Sequence, residues 1–517
     1  MTKAPLALTA LLLAGFGPRL AAEAPPPIVV DESIDVRVVN VEAVVTDRGG
    51  HVAHGLAAGD FQLLVDGREV PISYFTEIRG AQAVAAPQPA APAAANGAPA
   101  PAPAAPSPQV EPGTAVGRHY LVFVDDGFAV GARRNLALER LRDGLRRLGP
   151  EDRMAVIVFD GANLAVLSGW TADQAALAAA LRRAAAGASR GNQLLAQRHS
   201  LDNDEDEVRF LPEQDVIEHA LEELRPRVSP EALGQLVRTA AAAAAALRAF
   251  ELPPGRRILL LLSGGWSVAT DPRQYGPLIQ AANQLGYTLY PLDVATGDIS
   301  ALRLFDGLAQ TTGGRALATG GPAAFAQVVE ETASYYWLGF SPTWKPDDHP
   351  HRIEVRVHRA GLQVRSRSSY SDMSRQSTAA LKAQSALLFG SAGPSPGAAE
   401  AQLRVETGAS RPIGHDEIEV PITLLLPMSS LSFTPDGASL VAELPLAVAA
   451  LDDKGRRVDL PETLLHFRIA AIPAASRTLR FRTTLKLRRV EQRLVFAIAD
   501  SRTGAVLTTE LAVHPGS

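Results

Sequence analysis

Three clusters of side chains in this 517-residue chain have the types and spacing of chemistry. Gly187-Ala-Ser-Arg-Gly191 matches Gly-x-Ser-x-Gly, which exposes a nucleophilic serine when it sits on a sharp turn from strand to helix. Here a helical pattern precedes it and no strand does, so Ser189 reads as a loop residue. Asp202, Asp204, Asp206 and Glu213 fall at positions 1, 3, 5 and 12 of a calcium loop. Position 6 needs glycine for its turn and is Glu207, and Pro212 precedes Glu213, so the run reads as a solvated acidic loop. His349 and His351 flank Pro350 beside Asp347 and Asp348. That set can ligate a metal or form a hydrophilic hairpin loop. Trp266 follows Gly264-Gly265 at the C-terminal end of an expected central strand, the edge at which open α/β sheets bind ligands; it can equally cap the local core. No His-Glu-x-x-His helix, phosphate loop or dinucleotide glycine pattern occurs, so no cofactor is implied. With no cysteine, disulfides, thiolate metal sites and cysteine nucleophiles are excluded. Lys plus Arg is 50 and Asp plus Glu is 55, a net charge of −5, without the basic excess of a nucleic-acid binder.

The elements that must position these groups fall into modules. Lys3, the apolar run from Ala4 to Phe16 and the small-x-small site Ala22-Glu23-Ala24 read as a secretory signal peptide over 1–24. No later stretch reaches the roughly 18 unbroken apolar residues of a membrane span, so the expected location is the periplasm or outside the cell. Alternation at Ile34, Val36, Val38 and at Val41, Ala43, Val45, with a hairpin across Asp66-Gly67, marks a β-module over 28–79, half of an Ig-like sandwich. Residues 80–115 are mostly Ala and Pro and read as a semi-rigid linker. From 118 to 340 strand and helix patterns alternate, which implies a parallel sheet covered on both faces. Tyr335–Phe340 reads as the last strand of that series, and the domain is drawn over 116–371. Residues 190–250 interrupt it and read as a helical hairpin inserted on the rim. A linker over 372–413 and a C-terminal β-sandwich over 414–517 follow.

Tyr120 to Thr171 resembles a von Willebrand factor type A domain. The resemblance is to a bacterial VWFA-related family of exported proteins, and it extends over about 35–370. It rests also on Asn40-Val-Glu-Ala-Val-Val-Thr-Asp47, Gly59-Asp-Phe61, Tyr336-Trp-Leu-Gly-Phe-Ser-Pro342, His351-Arg-Ile-Glu-Val-Arg-Val357 and Val364-Arg-Ser-Arg367. It implies a doubly wound α/β domain flanked by all-β modules, and a metal-ion-dependent adhesion site of pattern Asp-x-Ser-x-Ser, a later Thr and a later Asp. Asp125 matches the first Asp and Thr171 the Thr. The serine positions hold Gly127 and Ala129, and the second Asp position holds Gly264. Mg²⁺ demands several fixed oxygens in near-octahedral array, so this degenerate set implies no metal. The expected binding positions are therefore Asp125, Asp126, Thr171, Ser263 and Trp266. The expected function is a non-enzymatic protein-binding, adhesion or scaffold role toward partners in the envelope or outside the cell. The alternative is a secreted hydrolase with its site near Ser189 or near His349 and His351.

Overall fold

The computed structural model describes residues 38–84, 110–192, 230–250, 255–264, 272–295, 299–317, 324–389, 402–413, 415–437, 439–452, 457–459, 463–470, 478–500 and 505–514. The expected signal peptide, the acidic run 202–207, Glu213 and Trp266 lie outside the described residues. The chain is mixed α/β, with several antiparallel sheets and one sheet of mainly parallel strands.

The N-terminal β-module is completed from far along the chain. Its strands β1 (Val39–Thr46), β2 (Phe61–Val65), β3 (Arg68–Glu69), β4 (Tyr74–Arg79) and β5 (Gln82–Val84) form two sheets that need later partners. The αβ region contributes β6 (Arg118–Asp125), β7 (Arg153–Phe159), β8 (Leu164–Thr171), β9 (Arg256–Ser263) and β10 (Tyr287–Asp293). Then β11 (Tyr335–Phe340), β12 (Pro350–Val357), β13 (Gln363–Ser366) and β14 (Ser369–Ser371) return to the β-module. One of its sheets runs β13-β1-β11-β4-β5 and the other β14-β12-β2-β3. Between them lies one core, with Val41, Ala43 and Phe75 facing Leu63, Val65 and Ile353. So Tyr335–Phe340 is not the last strand of the α/β series: β11 lies antiparallel between β1 and β4. Its alternation decides this, because Tyr336, Leu338 and Phe340 enter the β core while Tyr335 and Trp337 pack on the opposite face. The expected hairpin partner of β2 also changes. Asp66 and Gly67 take positive φ and close a two-residue turn, but the returning strand is only Arg68–Glu69. Beyond it the chain crosses to the other sheet through Pro71, which has no N–H for the ladder.

The α/β domain is therefore inserted between β5 and β11. The stretch expected as a spacer starts and ends at one place: Gly113 N–H donates to Ala83 O at 2.8 Å and Ala83 N–H to Thr114 O at 2.9 Å. A segment whose ends are pinned together cannot set a distance between modules.

The inserted domain has the strand order β10-β9-β6-β7-β8, with β10, β9, β6 and β7 parallel and β8 antiparallel at the edge. Helices α1 (Gly131–Gly144) and α2 (Gln174–Ala186) cover one face. The other face carries α3 (Pro230–Ala249), α4 (Gly276–Leu285) and α5 (Ile299–Gln310), and α6 (Ala324–Thr332) joins α1 on the first. The expected rim insertion is corrected at α3. Leu236, Ala240, Ala243, Ala244 and Leu247 form a helical stripe buried in the sheet's own core. Alanine lets this helix lie close to the sheet, so the Ala run is a packing device.

The expected linker 372–413 contains α7 (Arg375–Phe389). Leu381 packs into the α/β core, while Ala379 and Ala383 pack against Ala447, Ala449 and Val495 of the C-terminal β region. That region is two antiparallel sheets around one core, with Ile418, Val420 and Ile422 facing Leu444, Leu494 and Phe496. Among the described residues no helix is long and apolar enough to cross a membrane.

Candidate functional site

In an open α/β sheet the ligand crevice lies beyond the carboxyl ends of strands whose connections diverge. Here that point falls between β6, which leads toward β7, and β9, which leads toward β10. Asp125 ends β6 and Ser263 ends β9, so the sheet itself brings these two expected residues together. The Ser263 hydroxyl donates to Asp125 Oδ2 at 2.5 Å, and Gly127 N–H donates to Asp125 Oδ1 at 3.0 Å. Burial pushes the Asp125 carboxyl up to about 7, against the Ser263 hydroxyl, the Gly127 N–H, the Thr239 hydroxyl and the Phe128 N–H, which all favour the charged form.

The positions where the adhesion pattern would carry further oxygens are filled. A side chain at Gly127 would place its Cβ 2.3 Å from Gln235 Nε2. One at Gly264 would meet Ala295 Cβ at 2.1 Å. A serine at Gly127 would have to displace the Gln235 amide, and an aspartate at Gly264 would have to move the backbone at Ala295. Thr239 and Gln235, one turn apart on the buried stripe of α3, are the residues that sequence reasoning missed. The signal was present in the helical spacing of Gln235, Leu236, Thr239, Ala240 and Ala243.

Asp126 turns the other way. Its Oδ1 lies 2.5 Å from Arg134 Nη1, and both side chains are buried. Burial raises the Asp126 carboxyl and the Arg134 guanidinium opposes the rise. Arg134 also donates to Ala185 O at 3.0 Å and Gly187 O at 2.9 Å, and Arg190 N–H donates to Asp126 O at 2.8 Å. Asp126 thus ties α1 to the loop after α2.

Thr171 is not part of this site. In the antiparallel pairing of β7 and β8 it stands opposite Met154, while Leu164 stands opposite Phe159, the neighbour of Asp125. It lies about five residues down the sheet, roughly 16 Å at about 3.3 Å per residue. Its role is local: Thr171 Oγ1 accepts from Asp173 N–H at 3.0 Å. Asp173 is the helix cap, with Oδ1 accepting from Ala175 N–H at 2.8 Å and Ala176 N–H at 3.1 Å. Asp173→Ala is expected to lower stability by about 1 kcal/mol, measured by guanidinium unfolding. No loss would mean that this cap contributes nothing.

The two hydrolase candidates stay apart. Ser189 lies on the loop after α2, with its Oγ 3.0 Å from where a Cβ on Gly131 would stand. His349 and His351 belong to the β-module. The His351 ring is stacked on Trp344 at 3.9 Å, and its Nδ1 lies 2.8 Å from Asp66 Oδ2. The His351 ring beside Asp66 holds that carboxyl below the usual range. Asp348 faces elsewhere, accepting from Gln284 Nε2 at 3.0 Å, Ser374 N–H at 3.0 Å and Ser377 Oγ at 2.8 Å, and so fixes the start of α7. Among the described residues no group of three His, Asp or Glu side chains is arranged to hold a metal ion.

No protein-family model matches the chain, and no curated protein is significantly similar to it. Among solved structures, the chain is similar to a glycosyl hydrolase family 2 member from Bacteroides cellulosilyticus, at 9% identity, TM-score 0.16, covering 22% of this chain. It spans only 14% of the length of that hydrolase. It is also similar to the TFIIH p34 N-terminal domain, at 14% identity and TM-score 0.21, covering 42% of this chain and 97% of that one. Both scores are too low for either likeness to bear on fold or activity.

Proposed function

We propose that this chain is an exported, non-enzymatic binding or scaffold protein whose inserted domain is von Willebrand factor A-like, with Ig-like β modules on either side. The observation that carries the reading is the way the α/β domain is mounted. The amino ends of its parallel strands face the β-module, through contacts such as Arg256 to Glu42 at 3.0 Å and Arg367 Nη1 to Asn283 O at 3.2 Å. The carboxyl ends, where open sheets bind ligands, point the other way. The strand order with an antiparallel edge strand supports the A-like assignment. The filled space at Gly127 and Gly264 supports binding without a bridging cation.

The partner is then a protein of the envelope or the extracellular space, engaged by the rim beyond Asp125 and Ser263. The test is capture of envelope proteins by the immobilised chain, in Mg²⁺ and in EDTA, with a calorimetric titration of Mg²⁺ and Mn²⁺ alongside. The expected result is a saturable partner held equally in both buffers and no heat of cation binding. Capture lost in EDTA, with cation binding that disappears in Asp125→Ala, would overturn the cation-independent reading. Turnover of an ester or glycoside substrate that is lost in Ser189→Ala would favour the hydrolase.

A further inference from the structure

The inserted domain carries a cavity on the face of the sheet away from α3. It has a volume of about 320 Å³ and opens between the C-terminal half of α1 and the start of α6, over β9 and β10. Its body is apolar: Leu260, Leu262, Leu292, Leu317 and the ring of Phe325 line it. Phe325 is seated against Gly144, where a Cβ would lie 2.4 Å from the ring.

The charged groups on the lining are Arg140, Arg146, Arg147 and Asp143. Asp143 lies 3.8 Å from Arg142, so its charge is already shared. Arg146 and Arg147 are exposed and have no ion-pair partner among the described residues. A cationic rim over an apolar well is an arrangement with a definite chemical complement. Guanidinium groups match the planar oxygens of carboxylate and phosphate, and the leucine walls match a hydrocarbon chain. The volume is at the lower end of ligand pockets, which limits the occupant to a single chain.

We propose that this cavity binds a single acyl chain with an anionic head, the chain lying over Leu260, Leu262 and Leu292 and the head at Arg146 and Arg147. A free fatty acid and a single-chain phosphate monoester share this chemistry. The site does not depend on the protein-binding reading, since its lining residues are not those of the rim and it takes a different class of ligand.

The experiment titrates dodecanoate, dodecyl phosphate and dodecyltrimethylammonium into the full chain, each below its micelle concentration, by calorimetry. At least one anion is expected to bind saturably at one per chain, and the tighter of the two identifies the head group. The cation is expected to bind at least ten-fold more weakly. Arg146→Glu combined with Arg147→Glu is expected to weaken the anion at least ten-fold with the unfolding midpoint unchanged, because both side chains are exposed. Ala326→Trp, at the mouth, is expected to abolish binding; should it fail to fold, the double glutamate variant decides. Absence of saturable anion binding, equal affinity for the cation, or unchanged affinity in the double variant would overturn the proposal.

Discussion

Arg256→Met is expected to destabilise the protein by about 3–5 kcal/mol, the cost of breaking a buried ion pair by removing one partner. Arg256 begins β9 and its side chain is 1% exposed. It lies 3.0 Å from Glu42 on β1, in an ion pair without hydrogen-bond alignment, and its guanidinium sits 4.3 Å over the Tyr335 ring. It also donates to Thr332 O at 3.2 Å. These contacts tie the inserted domain to β1 and to the return crossing from α6 into β11. Methionine fills much of the same volume but takes from Glu42 its ion-pair partner, leaving only the longer-range field of Arg257 and Arg367. Glu42→Gln combined with Arg256→Met should therefore recover most of the loss, since replacing both charges removes the uncompensated one. Urea unfolding of the three variants is the measurement. A single variant within about 1 kcal/mol of the parent would show that the pair does not hold the modules together.

The second large effect is a pH-dependent gain in stability from Asp125→Asn. Burial raises the folded-state Asp125 carboxyl from 3.8 to about 7, so the folded chain holds a proton that the unfolded chain releases. The stability this proton supplies is fully present below about pH 4 and is lost as pH rises through 7. The full loss is about 4 kcal/mol, of which about 2–3 kcal/mol falls between pH 5 and 8. Asparagine stays neutral: its carbonyl oxygen can accept from Gly127 N–H in place of Asp125 Oδ1, and its amide NH2 can donate to the Ser263 hydroxyl oxygen in place of Oδ2. Asp125→Asn is thus expected to exceed the parent in stability at pH 8, with the gap closing by that amount at pH 5. Comparing the two chains at each pH cancels every other carboxylate. A gap that does not change between pH 5 and 8 would mean that Asp125 is ionised in the folded protein.

Much of the local architecture is legible in the residues themselves. The apolar runs at Tyr120–Val124, Met154–Phe159 and Arg257–Leu262 are too short for buried helices and too continuous for half-exposed strands, and each forms a buried parallel strand. The Asp66-Gly67 turn is equally local, because those residue types tolerate the positive φ that a two-residue hairpin demands. Asp125 at the end of β6 and Ser263 at the end of β9 follow from strand ends alone. What the sequence could not decide is which strands pair. Tyr335–Phe340 has the same apolar character whether it extends a parallel sheet or completes an antiparallel one. Only partners about 260 and about 300 residues away, at Ile78 and Val41, settle that it belongs to the β-module. The same holds for the closed space around Asp125. Gly127 and Gly264 are visible as small residues after the strand ends, but that Gln235 and Ala295 crowd the space beside them depends on where α3 and the end of β10 come to rest. Local propensity fixes elements because it acts over a few residues. Register between distant strands and the contents of a buried crevice are set by which packing excludes most water, and that is a property of the whole chain.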